Sequence, residues 1–86
     1  MQLILLGTSA CHLCEQAEAL VADYLSEAPI PLVIDRIDIA EEMQWQEQFA
    51  LRIPVLFARQ SGRALCWPFD KSKIEVFIRE LKNDRN

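Results

Sequence analysis

Two cysteines, Cys11 and Cys14, stand three positions apart in the stretch Thr8-Ser9-Ala10-Cys11-His12-Leu13-Cys14-Glu15. A pair at this spacing can be a redox couple, half of a zinc site, a structural disulfide or a coincidence, and its place among the surrounding elements separates these cases. A zinc site needs further ligands, usually as a second pair. Only Cys66 and His12 could join Cys11 and Cys14, and His12 lies inside the pair, badly placed to share the same ion. An iron–sulfur cluster would need a dimer or external thiols to complete its ligation. No metal is therefore assigned. The sequence carries no Ser–His–Asp set, phosphate loop or paired-carboxylate site. Thiol chemistry remains.

That chemistry depends on the elements that hold the pair. Gln2–Leu6 is a short apolar run closed by Gly7 and reads as a buried strand. From Leu13 onward, Leu13, Ala17, Leu20, Val21, Tyr24 and Leu25 recur at three- and four-residue spacing. This predicts an amphipathic helix with Glu15, Gln16, Glu18 and Asp23 toward water. Pro29 and Pro31 stop it, and Pro31–Asp38, rich in β-branched residues, reads as a second strand. Asp38 with Glu41 three residues on forms a capping-box pattern, opening one helix to about Ala50 with Trp45 and Phe49 on one face. Pro54 can begin a strand but not occupy its middle, so Val55–Ala58 is the third strand. Gln60-Ser61-Gly62 supplies a turn and Ala64–Trp67 returns as the fourth. Pro68 ends that strand, Asp70 caps, and Ile74, Phe77, Ile78 and Leu81 mark a last helix.

The order β-α-β-α-β-β-α predicts an α/β fold in one domain over residues 1–86. The first two strands are parallel and joined by a right-handed crossover, and the last two form an antiparallel hairpin. Helices cover both faces of the resulting four-stranded mixed sheet.

In this order Cys11-x-x-Cys14 falls between the first strand and the first turn of the first helix. Unpaired backbone N–H groups and the positive end of the helix dipole favour a thiolate there. With Cys11 at the N-cap, Cys14 lies at the third helical position, within reach of Cys11 and more enclosed. It suits the role of resolving a mixed disulfide that Cys11 forms as nucleophile. His12 between them has two readings: an imidazole that tunes the couple, or an exposed polar residue with no partner. Leu13 reads as a packing or substrate-facing apolar residue. Cys66 reads as a small buried residue, and Trp45 and Trp67 as core or rim packing.

The cysteine pair after strand one, with Arg52-Ile53-Pro54-Val55-Leu56-Phe57 ahead of a hairpin, resembles the thioredoxin fold. The short length is similar to the glutaredoxin branch, and in particular to small bacterial glutaredoxin-like proteins with a Cys-His-Leu-Cys pair, a Pro-Val-Leu strand and a Trp-Pro-Phe hairpin end. The resemblance spans nearly the whole chain. It implies a cis Ile53–Pro54 peptide beside the cysteines, with the Ile53 backbone N–H and C=O free to pair with an extended thiol peptide. It also implies substrate contacts at Leu13, Arg52, Ile53, Pro54 and Asp70. Glutathione is then a possible co-substrate, with no tightly bound cofactor. The implied partners are glutathione or a disulfide-bearing protein. The chain departs from the family at Trp67-Pro68-Phe69-Asp70, where glutaredoxins usually carry a Gly-Gly turn that approaches the γ-glutamyl end of glutathione.

Composition bounds the rest. A net charge of −4 with scattered basic residues excludes a nucleic-acid partner held by phosphate contacts. No apolar run approaches a membrane span. The N-terminal Leu3–Leu6 run is too short, and has no basic flank, for a secretory signal. A cytoplasmic monomer with free thiols is expected. Two functions follow: a thiol–disulfide oxidoreductase working through Cys11 and Cys14, or a non-catalytic module of the same fold that binds a thiol peptide or protein partner.

Overall fold

The computed structural model describes residues 2–27, 32–50 and 52–83. Its elements are β1 (Gln2–Gly7), α1 (His12–Glu27), β2 (Val33–Asp38), a 3-10 turn (Ile39–Glu41), α2 (Met43–Phe49), β3 (Val55–Ala58), β4 (Arg63–Cys66) and α3 (Lys71–Asn83). The four strands form one sheet in the order β2-β1-β3-β4. β1 runs parallel to β2 and antiparallel to β3, and β3 runs antiparallel to β4. The predicted mixed sheet is present. Pro29 and Pro31, assigned the end of the first helix and the start of the second strand, lie outside the described residues.

β1 is central and apolar on both sides, as a strand covered on both faces must be. Leu3 and Leu5 face α1 and α3, joining Ala17, Val21, Ile74, Phe77 and Ile78 in an aliphatic core. Ile4 and Leu6 face the other way, into a smaller core with Ile39, Trp45, Phe49 and Phe57. Aromatic edges hold that second core: the Phe57 ring meets Trp45 at 5.2 Å and Phe49 at 5.6 Å between centroids. In α1 the inward positions belong to Cys14, Ala17 and Val21, whereas Leu13, expected on the apolar stripe, is 45 % exposed.

The second helical segment departs from its prediction. Asp38 caps, but its carboxylate accepts from the Ala40 N–H at 2.9 Å and opens only the 3-10 turn. The chain then extends at Glu42 (φ −135°, ψ 111°), and α2 begins without a side-chain cap. The reason is burial. Ile39 and Trp45 both enter the same core, and in one continuous helix they would point about 120° apart. The extended residue re-aims Trp45, whose indole N–H donates to the Glu42 carboxylate. The Asp38–Glu41 capping box is thus replaced by two short elements. β4 starts and ends one residue earlier than predicted. Gly62 takes φ 76° in the preceding turn, a conformation open to glycine. Among the described residues no helix is long and apolar enough to cross a membrane.

Candidate functional site

The sheet register brings the candidate residues to one end of the molecule. Leu6 pairs with Val55, and Val55 with Cys66. The segments that leave the sheet here are therefore the loop from Gly7 to Cys11, the approach to β3 through Ile53 and Pro54, and the run from Trp67 to Asp70. The Ile53–Pro54 and Trp67–Pro68 peptides are both cis.

Ala10 turns the chain into α1 with φ 59°, a left-handed conformation that costs a residue with a Cβ about 1–2 kcal/mol. Cys11 follows as the N-cap. Its carbonyl accepts the Glu15 N–H at 3.1 Å, and its Sγ accepts the Cys14 backbone N–H at 3.2 Å. That is the bond a serine or aspartate oxygen makes at an ordinary N-cap, here made by sulfur. Cys11 is half-buried and Cys14 buried, and both are free thiols, as is Cys66.

Cys14 is pressed against the end of β1. A Cβ on Gly7 would lie 3.1 Å from the Cys14 Sγ, so this glycine makes room for the sulfur. Burial, followed by the hydrogen bond to Cys11, pushes the Cys14 thiol up to about 11; the Thr8 backbone acts in the opposite direction. The negative charges of Cys11 and Glu18 add to the rise. Cys14 therefore stays protonated at neutral pH and has an S–H to offer Cys11.

The remaining candidates are spread around this pair. The His12 imidazole is 94 % exposed and faces the Glu15 carboxylate at 3.6 Å. Leu13 is an exposed apolar side chain one position further on. Arg52 is exposed, Ile53 half-buried and Pro54 buried. The Ile53 N–H is not free for a peptide, contrary to expectation: it donates to the Phe49 carbonyl at 3.2 Å, which also takes the Arg52 N–H at 2.8 Å. The unpaired carbonyls at the end of α2 claim these donors first. The Pro54 carbonyl accepts from the Trp67 N–H at 3.1 Å, tying the proline loop to the segment after β4. Asp70 caps α3, its carboxylate accepting the Lys73 N–H at 2.9 Å. Cys66, expected buried, is half-buried and packs against the aromatic core.

Sequence reasoning gave no place at the site to Gly7, Ala10, Glu41 or Glu42. The last two line a cleft with Cys14, Glu15 and Glu18. A glycine closing the strand before the pair was a usable signal for the first. Nothing in residue type marks the others. Among the described residues no group of three His, Cys, Asp or Glu side chains is placed to hold a metal ion.

Comparison with known proteins agrees with this architecture. The X-ray structure of target protein XcR50 from X. campestris superposes with a TM-score of 0.73 at 29 % identity, covering 91 % of this chain and 96 % of that one. The solution structure of protein Ne2328 from Nitrosomonas europaea gives a TM-score of 0.69 at 27 % identity, covering 88 % of each chain. The fold is thioredoxin-like. No curated protein matches the chain. The family model for the glutaredoxin-like domain (DUF836) matches residues 2–79, which includes both cysteines and the proline loop, and the chain belongs to that family.

Proposed function

We propose that the protein is a thiol–disulfide oxidoreductase that reduces or exchanges disulfides through Cys11 and Cys14. The reading is carried by one observation: the Cys11 sulfur occupies an N-cap and takes the Cys14 N–H, while Cys14 itself is buried and held protonated. Cys11 thiolate would then receive both the backbone N–H and the S–H of Cys14, with the helix dipole behind them. A neutral Cys14 donates without competing as nucleophile.

In the first step the Cys11 thiolate attacks one sulfur of a substrate disulfide. A Cys11–substrate disulfide forms and the other substrate sulfur leaves as thiolate. Once Cys11 is in that bond, its charge and its hydrogen bond no longer hold the Cys14 proton, so two of the causes that raise Cys14 disappear. Cys14 then loses its proton to water and attacks the Cys11 sulfur. The substrate leaves as a second thiolate, having gained two electrons, and the protein keeps a Cys11–Cys14 disulfide. A thiol reductant of the glutathione class returns the pair to the dithiol state. Disulfide-bearing proteins and glutathione mixed disulfides are the substrates, in a reducing compartment such as the cytoplasm. In this reading Leu13, Arg52, Pro54 and the Ile53 carbonyl are the substrate-contacting groups, and His12 tunes the couple from the exposed side.

The test is a trapping experiment. Cys14→Ser accumulates a stable mixed disulfide at Cys11, seen as an added mass, whereas Cys11→Ser forms none. Mixed-disulfide formation that survives Cys11→Ser removes the role given to Cys11.

A further inference from the structure

A cleft of about 810 Å³ opens beside the cysteine pair. Its floor is the end of β1 with Cys14, and its near wall is the loop Thr8–Ala10 that leads into Cys11. The far side is the end of β2 and the chain beyond it. Among the described residues Glu15, Glu18, Asp38, Glu41 and Glu42 line it, with Arg36 as the one basic residue. The charge there equals that of the whole chain. Of 13 acidic and 9 basic residues, the cleft holds five and one, and the eight acidic and eight basic residues that remain cancel. A surplus equal to the net charge of −4 thus lines the cleft that holds Cys14 and the loop leading into Cys11.

The carboxylates differ in how they are engaged. Glu18 pairs with Arg36, Asp38 caps the 3-10 turn, and Glu42 takes the Trp45 indole N–H. Glu15 has only the exposed His12 at 3.6 Å, and Glu41 has no side-chain partner among the described residues. Two carboxylates from opposite sides of the cleft are thus open to an incoming cation. A concave site lined by one sign of charge concentrates the opposite charge and speeds its arrival. Glutathione, net negative, gains nothing from such a field, whereas a basic segment of a protein does.

We propose that this cleft docks the segment of a substrate protein that flanks its disulfide, and that this segment is basic, carrying lysine or arginine beside the half-cystine. The proposal rests on the thiol–disulfide reading above and names its substrate class. Ala10 lines the cleft and immediately precedes Cys11, so a residue next to a half-cystine bound at Cys11 reaches it within one or two steps of about 3.4 Å. A cation docked there also offsets the Glu18 charge that Cys14 feels, easing the second step only when the right substrate is bound.

The experiment compares matched peptides, one with lysine and arginine around its cysteine and one with glutamate, each as a mixed disulfide with an aromatic thiol chromophore. The expected result is that the basic peptide reacts at least ~10-fold faster than the acidic one at low ionic strength. The ratio falls below about 3-fold in roughly 0.5 M salt, where the field is screened. The Glu15→Gln, Glu41→Gln double variant brings the low-salt ratio down toward the same value. Equal rates for the two peptides, or a preference unchanged in the double variant, overturn the proposal. Unreactive analogues with serine in place of cysteine, titrated against the protein by NMR, read the same charge preference without any exchange. If they bind with basic selectivity at Thr8–Ala10 and Glu41 while no peptide exchanges, the redox reading fails and the docking cleft stands. Analogue binding that ignores charge overturns the cleft alone.

Discussion

Helices α1 and α3 begin in the same way with different atoms. In α3 the Asp70 carboxylate accepts the Lys73 N–H at 2.9 Å; in α1 the Cys11 sulfur accepts the Cys14 N–H at 3.2 Å. In both, the N-cap carbonyl takes the next donor in line, from Ile74 and from Glu15. Asp70 is a strong cap, charged and complementary to the dipole. A thiol is a weak acceptor, and it becomes a good cap only as a thiolate. The α1 terminus is therefore incompletely satisfied unless Cys11 ionises, and it is also preceded by Ala10 in a left-handed conformation, which α3 has no counterpart for. One helix start serves stability. The other gives up part of it to place a sulfur at the cap, as the proposed function requires.

Exchanging the cap breaks the comparison most sharply. Cys11→Asp makes the start of α1 like that of α3; disulfide exchange is lost altogether, while chemical denaturation shows stability unchanged or higher by up to about 1 kcal/mol. A large loss of stability in this variant would mean that Cys11 has a packing role beyond capping. A smaller effect is read by alkylation of Cys14 in the dithiol protein. With its thiol pushed up to about 11, the thiolate is the minor form at neutral pH, so the alkylation rate climbs about tenfold per pH unit until that region. Peptide mapping by mass spectrometry follows it separately from Cys11. A plateau near pH 8–9 would show that burial and Cys11 do not hold the proton. The smallest effect belongs to the ordinary cap. Asp70→Ala removes the acceptor of the Lys73 N–H and costs about 1 kcal/mol of stability in denaturant unfolding. A cost near zero would make the two helix starts less different than their caps suggest.

Much of this was open to reading from residue order. Apolar periodicity located α1 and α3, glycine and proline punctuated the strands, and Asp70 announced its cap. The same local rules failed at Asp38–Glu41. The capping-box pattern was present, but burying Ile39 and Trp45 against one sheet face required a break that no local pattern encodes. At Ile53 it was the family resemblance that misled: the N–H it implied to be free is taken by Phe49, because the helix end just before it has carbonyls to satisfy. Leu13, expected on the apolar stripe, is exposed, while Cys14 is enclosed as its place in the helix suggested. The wider apolar spacing of α1 fits either residue on the inner face, and only the seat made by Gly7 selects the sulfur.

The sequence by itself determined the element order, the mixed four-stranded sheet and the placement of two cysteines at the start of a helix. All three follow from interactions within a few residues: side-chain periodicity, caps and chain-breaking residues. Tertiary structure alone decided how Cys14 is seated, against Gly7 at the end of β1, while Cys11 stays half-buried. It also gathered five carboxylates from distant segments around one cleft. Burial and the field of a cleft are sums over neighbours that residue order does not reveal, and they give two cysteines of the same type different surroundings, Cys11 half-buried and Cys14 buried.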